Sequence, residues 1–434
     1  MSDWMRRTDP GLGETIHEAR LVGGPAVLVL PLRGYGKKYA TFATRYGSVD
    51  NCFRLAGDAA ARRVPDGIAH FLEHQMFAQE EGDAFERFAE LGASANAYTS
   101  YTSTTYLFST TENFEPSLDH LLDFVQQPHF TDAGTAKERG IIQQEIRMYE
   151  DNPGWRLRQA LHAGLYQAHP FRIDIAGTVQ SVAAIDTALL RQCYDVFYHP
   201  ANMVVSVVGD VQPERILDQV ASSLARHPRP AWQPPERVLP AEPSGVTTAA
   251  WQDTMSVARP LLAVGFKEQA PPVSGREQLI RDVLTEIGLE AVFGQSADLF
   301  ARLYERGLID GGFGAGYYGE GSFGLSRIGG ETDRPDELAQ EIFAAAQALP
   351  RDGIAAEACE RQRRARLGDF IREFNSPESL GHLLTALHFQ DADLFTYARV
   401  LAAATPDAVA ARLAEHLDAA HATTASIRPR AAAE

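Results

Sequence analysis

The chain has 434 residues, 45% of them hydrophobic and 22% charged, enough at roughly 100–200 residues per domain for two to four domains with real cores. Lys plus Arg number 40 against 57 Asp plus Glu, a formal net charge of −17. That balance argues against a nucleic-acid binder, which must displace counterions from phosphates, and against docking to an anionic membrane surface. Cys52, Cys193 and Cys359 are too few and too scattered for a disulfide framework or a cysteine zinc site. The N-terminal stretch lacks a signal peptide's apolar core, and no run approaches ~18 apolar residues. The expectation is a soluble, cytoplasmic protein.

In chain order, residues 25–32 and 37–48 read as strands, rich in β-branched and aromatic residues. A helical stretch runs from 66 to 77 and another from 83 to 91, stopped by Gly92. Two strand-like segments, ASANAYTSY and STTYLFSTT, then suggest a hairpin. Helices are expected at 114–127, 133–151, 155–167 and 186–197, followed by the apolar strand 202–210 and a helix opening near Pro213. Residues 228–244 hold six prolines and read as an extended linker. Beyond it the same grammar returns. A strand (LLAVGF) precedes helices at 276–289 and 294–306, a glycine-rich strand region at 311–331, helices at 333–348, 353–374, 376–389 and 405–418, and a last strand at 422–428. The expected organisation is a zinc-binding domain over 1–228, a linker over 229–244 and a domain of duplicated fold over 245–434. The fold class is α+β, two tandem α/β sandwiches with helices packed on antiparallel-type sheets.

The chemistry concentrates in DGIAHFLEHQMF, which contains His70, Glu73 and His74. Residues four apart share a helical face, so both imidazoles can meet one ion. Glu73 lies beside them, placed to hold a proton. This is the inverted HxxEH spacing of a zinc hydrolase. Two histidines and a carboxylate would leave the fourth zinc position for water, whose pKa falls to about 7. Two surface histidines on a solvated helix would be the bland alternative, but Ile68, Phe71, Leu72, Met76 and Phe77 make one side apolar. A third ligand must come from elsewhere. Glu138 and Glu145, seven apart on one helix, both interrupt a face carrying Ile142, and a buried carboxylate is costly unless paired or metal-bound.

These residues resemble the pitrilysin/insulinase family of zinc peptidases (peptidase family M16). The likeness extends from HFLEH and the glutamate helix, 71 residues from His74 to Glu145, to GASANAYTSYTSTTYLFS, DNP, HPFRIDIAGT and YHPANMVVSVVGD. The length resembles the shorter bacterial and mitochondrial-processing branch. The resemblance implies a clam-like pair of domains and one Zn2+ per chain, held by His70, His74 and Glu145. It implies Glu73 as general base, Glu138 as a supporting carboxylate, and the strand at Ala95, Asn96 and Ala97 as the edge that pairs with peptide substrate. One departure stands out. The family's arginine and tyrosine near the zinc align here with ARLYERGLIDGGFGAGYYGEG, where Leu303 and Asp310 occupy the expected positions. Arg302, Tyr317 and Tyr318 are the nearest substitutes. The function expected is a zinc-dependent endopeptidase acting on unfolded peptides. It would be a homodimer, or a heterodimer with a related subunit supplying the Arg/Tyr pair. The alternative is a non-catalytic scaffold subunit. The glycines at 311–316 lack the lysine of a phosphate loop, and RQRRAR at 361–366 reads as a solvated helix face.

Overall fold

The computed structural model describes residues 4–80, 82–270 and 272–430. They form two compact units that are not consecutive halves of the chain. Unit 1 comprises residues up to Arg147, Asp174–Leu239 and Arg372–Phe389; unit 2 comprises Met148–Ile173, Pro240–Ile371 and Gln390 onward. No helix among the described residues is long and apolar enough to cross a membrane.

Unit 1 is built on seven strands: β1 Met5–Asp9, β2 Glu14–Arg20, β3 Ala26–Pro31, β4 Lys38–Thr44, β5 Ser94–Thr99, β6 Thr104–Thr110 and β7 Met203–Gly209. Their order is β1-β2-β3-β7-β4-β6-β5, with β3 and β7 parallel and the other neighbours antiparallel. β7 (MVVSVVG) is buried at every residue, the near-continuous apolar run of a strand covered on both faces. β5 lies at the edge and alternates exposed with half-buried residues. Unit 2 has β8 Ala250–Met255, β9 Leu261–Lys267, β10 Gly314–Glu320, β11 Phe323–Glu331 and β12 Ala422–Pro429. Their order is β8-β12-β9-β11-β10, again with one parallel pair, β8 with β12.

The helices of seven or more residues, in chain order, are α1 Ile68–Met76, α2 Ala84–Glu90, α3 Phe114–Gln126, α4 Asp132–Glu150, α5 Pro153–Leu165, α6 Thr187–Phe197 and α7 Pro213–Arg226. They continue with α8 Gly275–Phe293, α9 Asp298–Glu305, α10 Pro335–Asp352, α11 Ala356–Glu373, α12 Pro377–Phe389, α13 Leu394–Ala403 and α14 Pro406–His416. Placed on the two sheets, five strands of unit 1 match the five of unit 2, and β1 and β2 have no counterpart. The order β3-β7-β4-β6-β5 repeats as β8-β12-β9-β11-β10, and α1 through α4 occupy the places of α8 through α11. The expected duplication therefore has a topological counterpart.

The division at 228/245 needs correction. α5 packs on β9 and β12 of unit 2, and α12 packs on β4 and β7 of unit 1. Each sheet is covered by a helix from the other part of the chain. A Pro-rich segment marks where the chain changes unit, but it does not say which sheet an amphipathic helix will cover. That segment is also fastened rather than free. Trp232 donates to the Val196 carbonyl (2.8 Å) and Arg237 to Asp50 (2.6 Å) in unit 1. In unit 2, Glu242 accepts from buried Lys267 (2.5 Å) and from the backbone N–H groups of Gln167, Ala168 and His169. Of the elements named above, β1, β2, β8 and α13 are not anticipated from the sequence.

Candidate metal centre

α1 begins at Gly67, whose φ of +91° is left-handed and whose Cβ, if present, would stand 2.3 Å from the Ala176 carbonyl oxygen. Only glycine meets both conditions. From that start the helix buries Ile68, Ala69, Phe71, Leu72 and Met76 in the unit 1 core. Its remaining face presents His70, Glu73 and His74, whose ligand-type atoms all lie within 4.8 Å of one another. The two imidazole centroids are 4.5 Å apart.

α4 brings the acidic partners. Glu145 stands 3.8 Å from His70 Nε2 through Oε1 and 3.6 Å from His74 Nε2 through Oε2. These separations are too long for hydrogen bonds. Ligand atoms ~2.0–2.1 Å from a tetrahedral zinc stand about 3.4 Å apart, so the gap has the dimensions of a small cation. His70 Nδ1 is buried without a hydrogen-bond partner, so the imidazole lacks a satisfied hydrogen bond on either side. Glu138 takes the Nδ1 side of His74 at 2.9 Å. With a proton on Nδ1 donated to that carboxylate, the Nε2 lone pair faces Glu145, the arrangement that orients a metal-binding imidazole.

The electrostatics of the two imidazoles differ. Burial, helped by the neighbouring His74, lowers the His70 pKa to about 3, leaving it neutral. Burial also pulls His74 down, but the Glu138 hydrogen bond and the Glu73, Glu145 and Glu138 charges outweigh it and raise the pKa. Glu73 is raised by burial, with His74 and a hydrogen bond from Thr99 opposing and Glu145 and Glu138 adding. Thr99 Oγ1 donates to Glu73 Oε2 at 3.1 Å. Thr99 ends the edge strand β5, so the strand expected to receive peptide is tied to the carboxylate beside the imidazoles. Nothing in the run TSYTST marks Thr99 for that task.

The structure thus brings together His70, Glu73, His74, Glu138 and Glu145, with Ala95, Asn96 and Ala97 on the strand that reaches Glu73. Asn96 Oδ1 accepts from the Ala97 N–H at 2.9 Å, covering an edge donor. The unit 2 residues fare differently. Arg302 is exposed and pairs with Glu341 (3.8 Å), beside the Arg306–Glu341 and Arg306–Glu337 bonds of 2.6 Å. Tyr317 donates to buried Glu268 (2.9 Å) under the Arg412 guanidinium, and burial and that carboxylate push its pKa far up. Its hydroxyl is committed to the interior, because strand alternation turns it inward from β10. Tyr318, on the opposite face, is 39% exposed. Asp310 accepts from Arg259 at 2.7 Å.

Residues 56–179 match the model of the insulinase family (peptidase family M16), and residues 184–366 match the M16 inactive domain. An uncharacterized zinc protease of Bacillus subtilis (strain 168), YmfH, is 42% identical over 96% of this chain and 98% of its own length. The chain belongs to peptidase family M16. The crystal structure of a putative M16-like peptidase from Alicyclobacillus acidocaldarius, 37% identical, superposes with a TM-score of 0.93 over 96% of this chain and 98% of that one. The M16 likeness reaches a probable mitochondrial-processing peptidase subunit beta of Arabidopsis thaliana, 31% identical over 38% of this chain and 32% of that protein. The inactive-domain match runs from α6 of unit 1 through four of the five strands of the second sheet, and no metal-ligand group occurs in unit 2 among the described residues.

Proposed function

We propose that this M16 chain is a zinc-dependent endopeptidase that hydrolyses unfolded peptides. The observation that carries the reading is the cation-sized gap between His70 Nε2, His74 Nε2 and the Glu145 carboxylate, with Glu73 alongside. A zinc ion held there would supply a Lewis acid that brings the pKa of water to about 7.

The chain's own residues do the rest. Glu138 keeps the proton of His74 on Nδ1. Glu73, oriented by Thr99, takes the proton of the attacking water and returns it to the leaving amine, general acid–base work worth about 10²- to 10⁴-fold. An extended peptide adds to the free edge of β5 at Ala95–Ala97, where its carbonyl replaces Asn96 Oδ1 on the Ala97 N–H. Main-chain pairing of this kind reads conformation rather than sequence, which fits unfolded substrates.

A second reading is partner dependence. Arg302 and Tyr317 are engaged within unit 2 and Asp310 stands where the family's tyrosine is expected, so a second copy or a related subunit would supply the missing donors. The test is cleavage of a mixed quenched-fluorescent peptide library by zinc-loaded protein beside Glu73→Gln. Activity abolished by the substitution establishes a self-sufficient peptidase. Silence with about one zinc per chain establishes the partner-dependent form. Silence without zinc overturns the proposal in favour of a scaffold.

A further inference from the structure

The edge strand β5 is held from both faces. In front, Thr99 reaches Glu73. Behind, Tyr98 of the same strand meets His382 of α12, its hydroxyl 3.1 Å from Nδ1. The other ring nitrogen of His382, Nε2, lies 2.8 Å from the hydroxyl of Tyr39 on β4. Both tyrosine rings pack at 5.4 Å from the imidazole centroid. One histidine therefore spans β6 and joins the outermost strand to a central one. Burial lowers the His382 pKa, so the ring is neutral: one nitrogen donates to a tyrosine oxygen and the other accepts from a tyrosine hydroxyl. Neither nitrogen is left for another duty.

α12 itself is seated without slack. Gly381 rests on the Tyr39 ring, where a Cβ would come within 2.3 Å. Thr385 bonds Thr41 and Ser206, each at 2.8 Å. Arg45 donates to the Phe389 carbonyl at 2.6 Å and Tyr35 to that of Phe374 at 2.9 Å. Lys37 pairs with Glu378. The helix is a fixed platform, and His382 is the member of it that reaches the edge.

We infer that His382, delivered from the C-terminal part of the chain, is a positioning residue that holds β5 extended and at a fixed height for an incoming peptide strand. The inference rests on the peptidase reading above. An edge strand bonded to one neighbour frays readily, and a peptide that must first order it binds more weakly. His382 removes that cost before substrate arrives. It touches neither water nor the scissile bond, so its loss should weaken binding and spare the chemistry.

The test uses the full zinc-loaded chain as wild type, Tyr98→Phe and His382→Phe. KM and kcat are measured on a quenched-fluorescent peptide, and Kd for the same peptide is measured in the Glu73→Gln background. Amide exchange at residues 94–99 is followed in the absence of peptide. KM and Kd should rise roughly 3- to 10-fold, the scale of one or two hydrogen bonds, with kcat within about twofold and faster exchange confined to 94–99. Unchanged KM and exchange in an active protein overturn the inference alone, as does a fall in kcat at constant KM. A wild type that neither binds nor cuts peptide overturns the peptidase reading and this inference with it. Tyr98→Phe keeps the ring and the His382–Tyr39 bond, so it carries the test should His382→Phe fail to fold.

Discussion

The two units share a strand order and a helix order, but the corresponding helices meet through different chemistry. In unit 1, α1 and α4 gather two imidazoles and three carboxylates around a gap. In unit 2, the corresponding helices are α8 and α11. There Glu286 of α8 meets Arg366 of α11 at 2.5 Å. The second unit brings its own cation, fixed to the chain. In the first, carboxylates stand against two imidazoles instead. The same order of elements thus carries a histidine–carboxylate cluster in one unit and an arginine–glutamate ion pair in the other.

Breaking the first unit's chemistry gives the largest effect. Glu73→Gln should lower kcat/KM by about 10³-fold while bound zinc, measured by atomic emission, stays at one per chain; retained turnover would remove Glu73 from the proposed role. Next in size is the interior of unit 2. Glu268 and Arg412 are paired with only 4% and 8% of their side-chain surfaces exposed, and Arg412 also bonds Thr285. Glu268→Gln leaves a buried guanidinium without its counter-charge and should cost about 3–5 kcal/mol in urea unfolding. Zinc content should not change.

A smaller effect sharpens the contrast at the metal. Glu138→Gln retains an acceptor but loses the charge behind His74, and zinc affinity by competition with a chelator should fall about 10- to 100-fold. The smallest concerns pH. Asp282, on α8, is pushed up to about 8 by burial, with Glu286 and Glu320 adding and its Gln278 hydrogen bond opposing. Its folded pKa exceeds the unfolded one, so its contribution to stability is complete below pH ~4 and is lost as pH rises toward 8. Asp282→Asn should therefore raise stability at pH 8–9 by at least ~1 kcal/mol and make no difference near pH 4. An equal gain at both pH values would rule out the titration.

Some of this was legible because it is local. The spacing of His70, Glu73 and His74 turns into a shared helical face by the 3.6-residue period alone, and the apolar residues between them say which side is buried. Glu138 and Glu145 follow from the same period on α4. β7 announces itself as an apolar run, and His169 and His199, followed by proline, cap short 3₁₀ turns as their HP pairs suggest. Other features depend on partners distant in sequence. RQRRAR reads as a solvated face, yet Arg366 is tied to Glu286, eighty residues away. Tyr317 looks available beside its glycines, yet its hydroxyl turns in to Glu268.

The sequence by itself determined the metal-type residue set, the helix that displays it, the duplicated order of elements and the Pro-rich segment at which the chain changes unit. Periodicity and turn chemistry act within a few residues, so a single sequence expresses them directly. The tertiary structure decided that α5 and α12 cover each other's sheets, that Thr99 orients Glu73, and that His382 fastens the edge strand from behind. Those contacts join segments up to 344 residues apart, and burial and close packing, rather than local propensity, select them.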